Sequence, residues 1–417
     1  MKSAALFAGA VSLALVACKD VPQAPPDVVP PPPPATTIVI DSQFYADYAY
    51  AITYPSLVVS GPTTFGLTYR LWEAGLYRFA GCPIDCENRR NWVVGDADTA
   101  ADDRAEYNAA TTSDDRMQTA YQLWPSGATA VLKYASCVAL CQHMANWSTT
   151  NVDTTAQTGF FVSLAARPGQ THIAYLTLAG NSQQTQTGLH YARCSSDCLT
   201  MNAWTTTRVD SAAYGDTQIA VDPADVVHIV YTVPDPSDPF FLRLKYARCA
   251  TGCSSTSNWQ MFMIGPGHLP SLAVDAGANL TLAYMVDGRP ARVATCATGC
   301  PAGAWQGGAV VDVPEGKFVY DVSLIPAASG RTYLAYGTTV TDSGTNGYST
   351  NYGIVRLGRC DVTCSDSSNW RFMTVDSTAT TSPYFVSLAL DSAGHAAIVH
   401  ASSAFVRFSL VKQLPWE

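Results

Sequence analysis

Three observations predict an all-β fold, a β-propeller of seven four-stranded blades. A cysteine pair with three residues between its members, followed by a tryptophan, recurs six times, and an apolar triplet ending in an aromatic ring recurs seven times. The two ends of the repetitive region carry complementary strand fragments. Fixed-period self-similarity of this length marks a stacked repeat in which each unit needs its neighbours to bury its faces.

The elements follow in chain order. Lys2 precedes an apolar stretch from Ala4 to Ala17, fourteen residues that are too short to span a bilayer, where about 20 are needed. Residues 1–17 therefore read as a secretion signal. Leu15-Val16-Ala17-Cys18 resembles the lipobox of bacterial lipoproteins, which implies acylation of Cys18 after cleavage. Of thirteen cysteines, Cys18 is the one outside the repeated pairs. Residues 18–35 form a linker; from Lys19 to Ala35 it carries eight prolines, which remove backbone donors and favour an extended stalk on the order of 50 Å.

Residues 36–417 form the propeller. The cysteine motif occurs as Cys82/Cys86/Trp92, Cys137/Cys141/Trp147, Cys194/Cys198/Trp204, Cys249/Cys253/Trp259, Cys296/Cys300/Trp305 and Cys360/Cys364/Trp370. Upstream lie the triplets Leu67-Thr68-Tyr69, Thr119-Ala120-Tyr121, Ile173-Ala174-Tyr175, Ile229-Val230-Tyr231, Leu282-Ala283-Tyr284, Leu334-Ala335-Tyr336 and Ile398-Val399-His400. Before most of these stands a Ser-Leu-Ala-like segment, such as Ser163-Leu164-Ala165 or Ser387-Leu388-Ala389. Each unit is a meander: strand A holds the serine segment, B the triplet, C ends at the first cysteine and D starts at the tryptophan. The last unit lacks D, and Thr36 to Asp41 matches the other D strands, so the N-terminal strand is expected to close the ring. The alternative is six blades with a C-terminal appendage.

The cysteine pairs imply disulfides across the C-to-D hairpins and an oxidising compartment. Haem attachment would need a histidine after the second cysteine, and none follows; zinc would need four converging ligands. The chain is 47% hydrophobic and only 14% charged, which suits strands, and its net charge of −9 lacks the basic footprint of a nucleic-acid binder.

In a propeller the D-to-A connections share one face and ring the channel mouth. Aromatic or histidine residues precede strand A as Tyr54, Phe160, Tyr214, His268, Tyr320 and Tyr384, and form the candidate ligand-binding set. The same face is expected to carry long loops at Asp96–Asp103, Asp235–Phe241 and Thr338–Tyr352. Asp96, Asp98, Asp102 and Asp103 lack the order of a calcium loop, so no cofactor is expected and calcium stays the lesser alternative. The hydrolase motif G-x-S-x-G and the metal motif H-E-x-x-H are both absent.

The meander with its Asp-initiated A-to-B turns, as at Asp275-Ala276-Gly277 and Asp391-Ser392-Ala393-Gly394, resembles the sialidase-like repeat propellers over residues 36–412. The likeness is one of fold. The S-x-D-x-G-x-x-W box of that family is absent from every unit, so its arginine and tyrosine roles carry over to no position here. Seven-bladed bacterial lectins are similar in outline and imply sugar pockets. The expectation is an exported, lipid-anchored monomer of the outer membrane or cell surface that recognises a glycan or protein partner. A propeller glycoside hydrolase or lyase, and a purely structural envelope protein, are the alternatives.

Overall fold

The computed structural model describes residues 35–42 and 52–417, apart from connections at 61–63, 72–75, 100–103, 125–128, 156, 179–185, 287–290, 301–302, 311–318, 328–329, 344–348, 380–383 and 403–404. Seven separate four-stranded antiparallel sheets follow one another along the chain. Six are consecutive meanders, blades 1 to 6 in chain order, which start at Ile52, Arg104, Gln157, Gly215, His268 and Val319, and the seventh sheet is blade 7. The seventh takes strands A, B and C from the C-terminus (Phe385–Leu390, Ala396–Ser402, Phe405–Val411) and strand D from the N-terminus (Ala35–Ser42), which pairs antiparallel with Phe405–Val411 from Ala35 opposite Val411 to Ser42 opposite Phe405. The expected closure is present. Cys18 and the proline stalk lie outside the described residues.

All six cysteine pairs are bonded as the spacing predicts: Cys82 to Cys86, Cys137 to Cys141, Cys194 to Cys198, Cys249 to Cys253, Cys296 to Cys300 and Cys360 to Cys364. Each bridge lies within its C-to-D hairpin, as expected. The first cysteine does end strand C in every case, but Cys86, Cys141, Cys198, Cys253, Cys300 and Cys364 belong to no strand and lie in the connection between C and D. Each disulfide therefore closes a tight loop at the end of strand C and leaves strand D outside the ring. Four residues of separation are too few for the chain to turn and also enter an opposing strand. Five of the second cysteines are nevertheless buried, from Cys300 with no exposed surface to Cys253 and Cys364 at 8%, and Cys198 is partly buried.

The apolar core is partitioned into seven clusters, and each lies at a seam between two blades. The disulfide loops serve these seams. In five blades a short 3-10 turn follows the second cysteine and brings the tryptophan back, so that its indole N–H donates to the carbonyl of Cys86, Cys141, Cys198, Cys253 or Cys364 at 2.6 to 3.1 Å. In blades 1 to 5 the ring packs across the seam on the preceding blade: Trp92 on Phe408, Trp147 on Phe79, Trp204 on Tyr134, Trp259 on Tyr191 and Trp305 on Tyr246, with centroids 4.9 to 5.7 Å apart. Trp370 of blade 6 joins the cluster at the seam with blade 5. Four of the receiving rings (Phe79, Tyr134, Tyr191, Tyr246) stand three residues before a first cysteine. The cysteine-tryptophan unit is therefore an inter-blade staple. Blade 5 departs: Trp305 stands one residue nearer Cys300, and its indole N–H has no partner among the described residues. Blade 7 lacks the unit, and the C-terminal tail substitutes: Leu414 and Trp416 pack into the seam with blade 6, and Glu417 pairs with Arg359.

A second device explains why the B triplet ends in an aromatic. Tyr69, Tyr121, Tyr175 and Tyr231 donate from their hydroxyls to Asp41, Asp98, Asp153 and Asp210 on the D strand of the preceding blade, at 2.5 to 2.6 Å. A cation from strand C completes three of these latches: Arg78 on Asp41 at 2.9 Å, Lys133 on Asp98 at 2.5 Å and Lys245 on Asp210 at 2.6 Å. At the last seam His400 takes the tyrosine's place and meets Asp376 at 3.0 Å, with Arg407 at 3.5 Å. Burial raises the Asp210 carboxyl, but hydrogen bonds from Lys245 and Tyr231 outweigh it and hold the group below its ordinary range.

The Ser-Leu-Ala serines form a third ring, close to the axis. Ser56, Ser163, Ser271, Ser323 and Ser387 each accept the backbone N–H of strand A in the next blade, namely Ala110, Ile219, Leu324, Leu388 and Leu57, at 2.9 to 3.0 Å. Strand A faces the channel and has no sheet partner on that side, so its hydrogen-bonding groups need such acceptors.

His172 and His228 occupy equivalent places at the start of strand B and share 2.7 Å hydrogen bonds with the hydroxyls of Tyr191 and Tyr246. Both are structural. Burial, with Arg193 adding to it, pushes His172 down to about 4. A histidine depressed in the fold contributes stability that is complete above its unfolded value near 6.5 and is lost as pH falls toward 4. Urea denaturation at pH 7.5 and pH 4 is expected to show a loss of about 3 kcal/mol from this residue, absent in His172→Gln. Equal pH dependence in both proteins would overturn this.

Candidate functional site

A cavity of about 290 Å³ opens on the axis at the face where the A strands begin, opposite the cysteine loops. Every blade contributes to its wall. Counting back from the Ser-Leu-Ala serine, the residue two positions earlier reaches the cavity in six blades: Tyr54, Phe161, Asp216, Leu269, Asp321 and Phe385. In most blades a β-bulge at this point breaks the strand's two-residue alternation. Tyr54, Phe161 and Leu269 adopt left-handed backbone there, with φ of 51°, 49° and 49°. Such conformations cost a non-glycine residue on the order of 1 kcal/mol and tend to mark places where a side chain is being aimed.

Tyr54, Tyr320 and Tyr384 line the cavity together; Phe160, Tyr214 and His268 do not. Phe160 is buried in an inter-blade cluster, edge-on to Trp124 at 6.1 Å. Tyr214 lies away from the cavity with 41% of its surface exposed, and the cavity takes Leu269 rather than His268. The reason is register. The six residues sit two, three or four positions before the serine, and where the bulge residue is left-handed, as at Phe161 and Leu269, its predecessor turns away.

The aromatic residues gather on three consecutive blades. Tyr320 of blade 6 meets Tyr384 of blade 7 edge to face at 4.9 Å, and Phe385 of blade 7 meets Tyr54 of blade 1 at 4.4 Å. Ring order places Phe161 of blade 3 and Asp216 of blade 4 across the axis from this arc. Asp321 joins the arc from blade 6. Its two oxygens accept the N–H groups of Val322 and Val386, both at 2.8 Å, while Asp216 accepts the N–H of Leu269 at 3.2 Å. Both carboxyls are only half-buried by surface area, yet protein hems them on all sides of a narrow cavity. Burial pushes Asp216 above the usual carboxylate range and Asp321 up to about 7; in the latter the two N–H groups oppose the shift and the charge of Asp216 adds to it. Sequence reasoning missed both carboxylates, although their place two residues before the Ser or Gln of strand A was a usable signal.

The expected long loops differ. Residues 235–241 are a tight hairpin, with strand B running to Asp235 and strand C starting at Asp238, and residues 338–352 mostly prolong strands Thr332–Ser343 and Ser349–Cys360. In both the backbone stays paired, Asp235 with Asp238 and Thr338 with Ile354 through Ser343 with Ser349. Asp96 and Asp98 are held by Arg78 and by Lys133 with Tyr121, while Asp102 and Asp103 lie outside the described residues. Among the described residues no three His, Cys, Asp or Glu side chains converge as a metal set, and no helix is long and apolar enough to cross a membrane.

No protein-family model matches the chain, and no curated protein matches it by sequence. Solved structures do resemble it. An α-L-arabinanase of Penicillium chrysogenum complexed with arabinobiose is 12% identical with a TM-score of 0.51, covering 90% of this chain and 97% of that one. A Hadza microbial sialidase is 11% identical with a TM-score of 0.48, covering 84% and 76%. A Trypanosoma rangeli sialidase is 10% identical with a TM-score of 0.47, covering 76% of this chain, which spans 56% of its length. At 12% identity the likeness to the arabinanase is one of fold: the chain shares its β-propeller architecture.

Proposed function

We propose that this chain is an exported, lipid-anchored binding protein that takes a saccharide into its axial cavity. The observation that carries the proposal is the arc of Tyr54, Phe385, Tyr384 and Tyr320 beside Asp321, facing Phe161 and Asp216. Aromatic faces stack on the C–H faces of a sugar ring, and carboxylates accept its hydroxyl protons. Six disulfides fit export to an oxidising compartment. The lipobox-like tetrapeptide and the odd cysteine support acylation of Cys18. The strand that follows the proline stalk starts at Ala35, opposite Val411 at the cysteine-loop end of its blade.

A glycan array followed by calorimetric titration tests the proposal. Tyr384→Ala is expected to weaken the best ligand about tenfold through loss of one stacking face. Unchanged affinity in a folded variant would remove the cavity from consideration. A hydrolase reading is favoured by one observation, the raised Asp321 beside Asp216, since glycoside cleavage needs one protonated and one ionised carboxyl. Release of reducing sugar from an array-positive glycan distinguishes it.

A further inference from the structure

We infer that the group seated in the axial cavity carries a positive charge, an ammonium or alkylated ammonium as on an amino sugar. The inference rests on the saccharide proposal for the same cavity and specifies its ligand. Three observations carry it together.

First, the described wall holds two carboxyl groups, and no lysine, arginine or histidine among its described residues answers them. On the D strands four aspartates are matched, while Asp153 meets the Tyr175 hydroxyl and no lysine or arginine among the described residues. Asp41, Asp98, Asp210 and Asp376 each have a lysine or arginine within 3.5 Å. Two carboxyls on a wall without a described lysine or arginine make the cavity an anionic receptor.

Second, the remaining wall is aromatic. Tyr320 and Tyr384 meet edge to face and Tyr54 leans on Phe385, so ring faces and hydroxyl edges border the space next to Asp321. Cations are attracted to aromatic faces by the ring quadrupole, and the attraction grows where water is excluded. The same wall disfavours an anionic sugar, whose carboxylate would meet Asp216 and Asp321 with no guanidinium among the described lining residues. Third, the chain as a whole carries a net charge of −9, which draws cations toward its surface. His268 stands near Asp216 outside the cavity wall, and its protonation would compete with a bound cation.

The test is titration of the full chain, disulfides intact, with glucosamine, N-acetylglucosamine and tetramethylammonium at pH 7.5 and low salt. Glucosamine is expected to bind at least about tenfold more tightly than its neutral acetylated form, with tetramethylammonium competing. Asp216→Asn and Tyr320→Leu are each expected to weaken glucosamine about fivefold or more, in proteins whose thermal unfolding is unchanged. Equal or tighter binding of N-acetylglucosamine overturns the positive charge and leaves the saccharide proposal standing. Glucosamine binding that neither substitution alters, in folded variants, overturns the cavity as its seat. If neither these probes nor any neutral oligosaccharide binds, both proposals fall.

Discussion

Removing residues 1–42 is expected to abolish cooperative folding of the propeller, although only one of its 28 strands is lost. Strand Ala35–Ser42 supplies the fully buried Ile40 and the partly buried Ile38 to the seam between blades 7 and 1. It also supplies Asp41, the acceptor for Tyr69 and Arg78. Its loss leaves the buried Tyr69 hydroxyl without its acceptor and takes one of two carboxylates from Arg78, about 1 to 3 kcal/mol for the orphaned hydroxyl alone. The outer edge of Phe405–Val411 then lies open to pairing with other chains. With the apolar burial added, the total rivals the ~5 to 15 kcal/mol that holds a typical domain together. The check is circular dichroism and urea unfolding of the truncated chain from an oxidising compartment, beside a chain lacking only residues 1–34. Broad, non-cooperative unfolding or aggregation is expected for the first and a normal transition for the second. Matching transitions would show that the ring does not depend on its closing strand.

Trp204→Ala is expected to cost about 3 to 5 kcal/mol, the range for deleting a buried large aromatic. The indole fills the seam between blades 2 and 3 against Tyr134 at 5.1 Å, and its N–H satisfies the Cys198 carbonyl at 2.9 Å. Trp204→Phe retains most of the packing and loses the hydrogen bond, so about 1 kcal/mol is expected. Trp305→Ala should cost less than Trp204→Ala, because its indole N–H has no partner among the described residues to lose. Urea midpoints of the three variants at constant slope measure this. A Trp204→Ala cost below that of Trp305→Ala would contradict the staple.

The repeats were legible because each records a contact made again at successive seams. The D-strand aspartates, the B-strand tyrosines and the C-strand bases are far apart in sequence, and their meaning appeared only when adjacent blades met: Asp210 is a strand-end residue until Tyr231 and Lys245 close on it. Likewise Phe79, Tyr134, Tyr191 and Tyr246, each three before a first cysteine, looked like further strand aromatics, and they are the platforms for the next blade's tryptophan. The second cysteines illustrate the same limit. Spacing alone pairs Cys253 with Cys249, but that its carbonyl receives the indole of Trp259, and that the bridge stops short of strand D, depends on the turn between them.

By itself the sequence determined the blade count, the one-plus-three closure and the cysteine pairing, because strand alternation, turn residues and short loop closure are local physics repeated at a readable period. Only the tertiary structure decided the site. A one-residue bulge at the head of strand A changes which side chain faces the axis, and no alternation pattern announces it. It put Phe161 rather than Phe160 at the cavity. It also brought Asp216 and Asp321, 105 residues apart, to the wall of one cavity that exists only when every blade is in place.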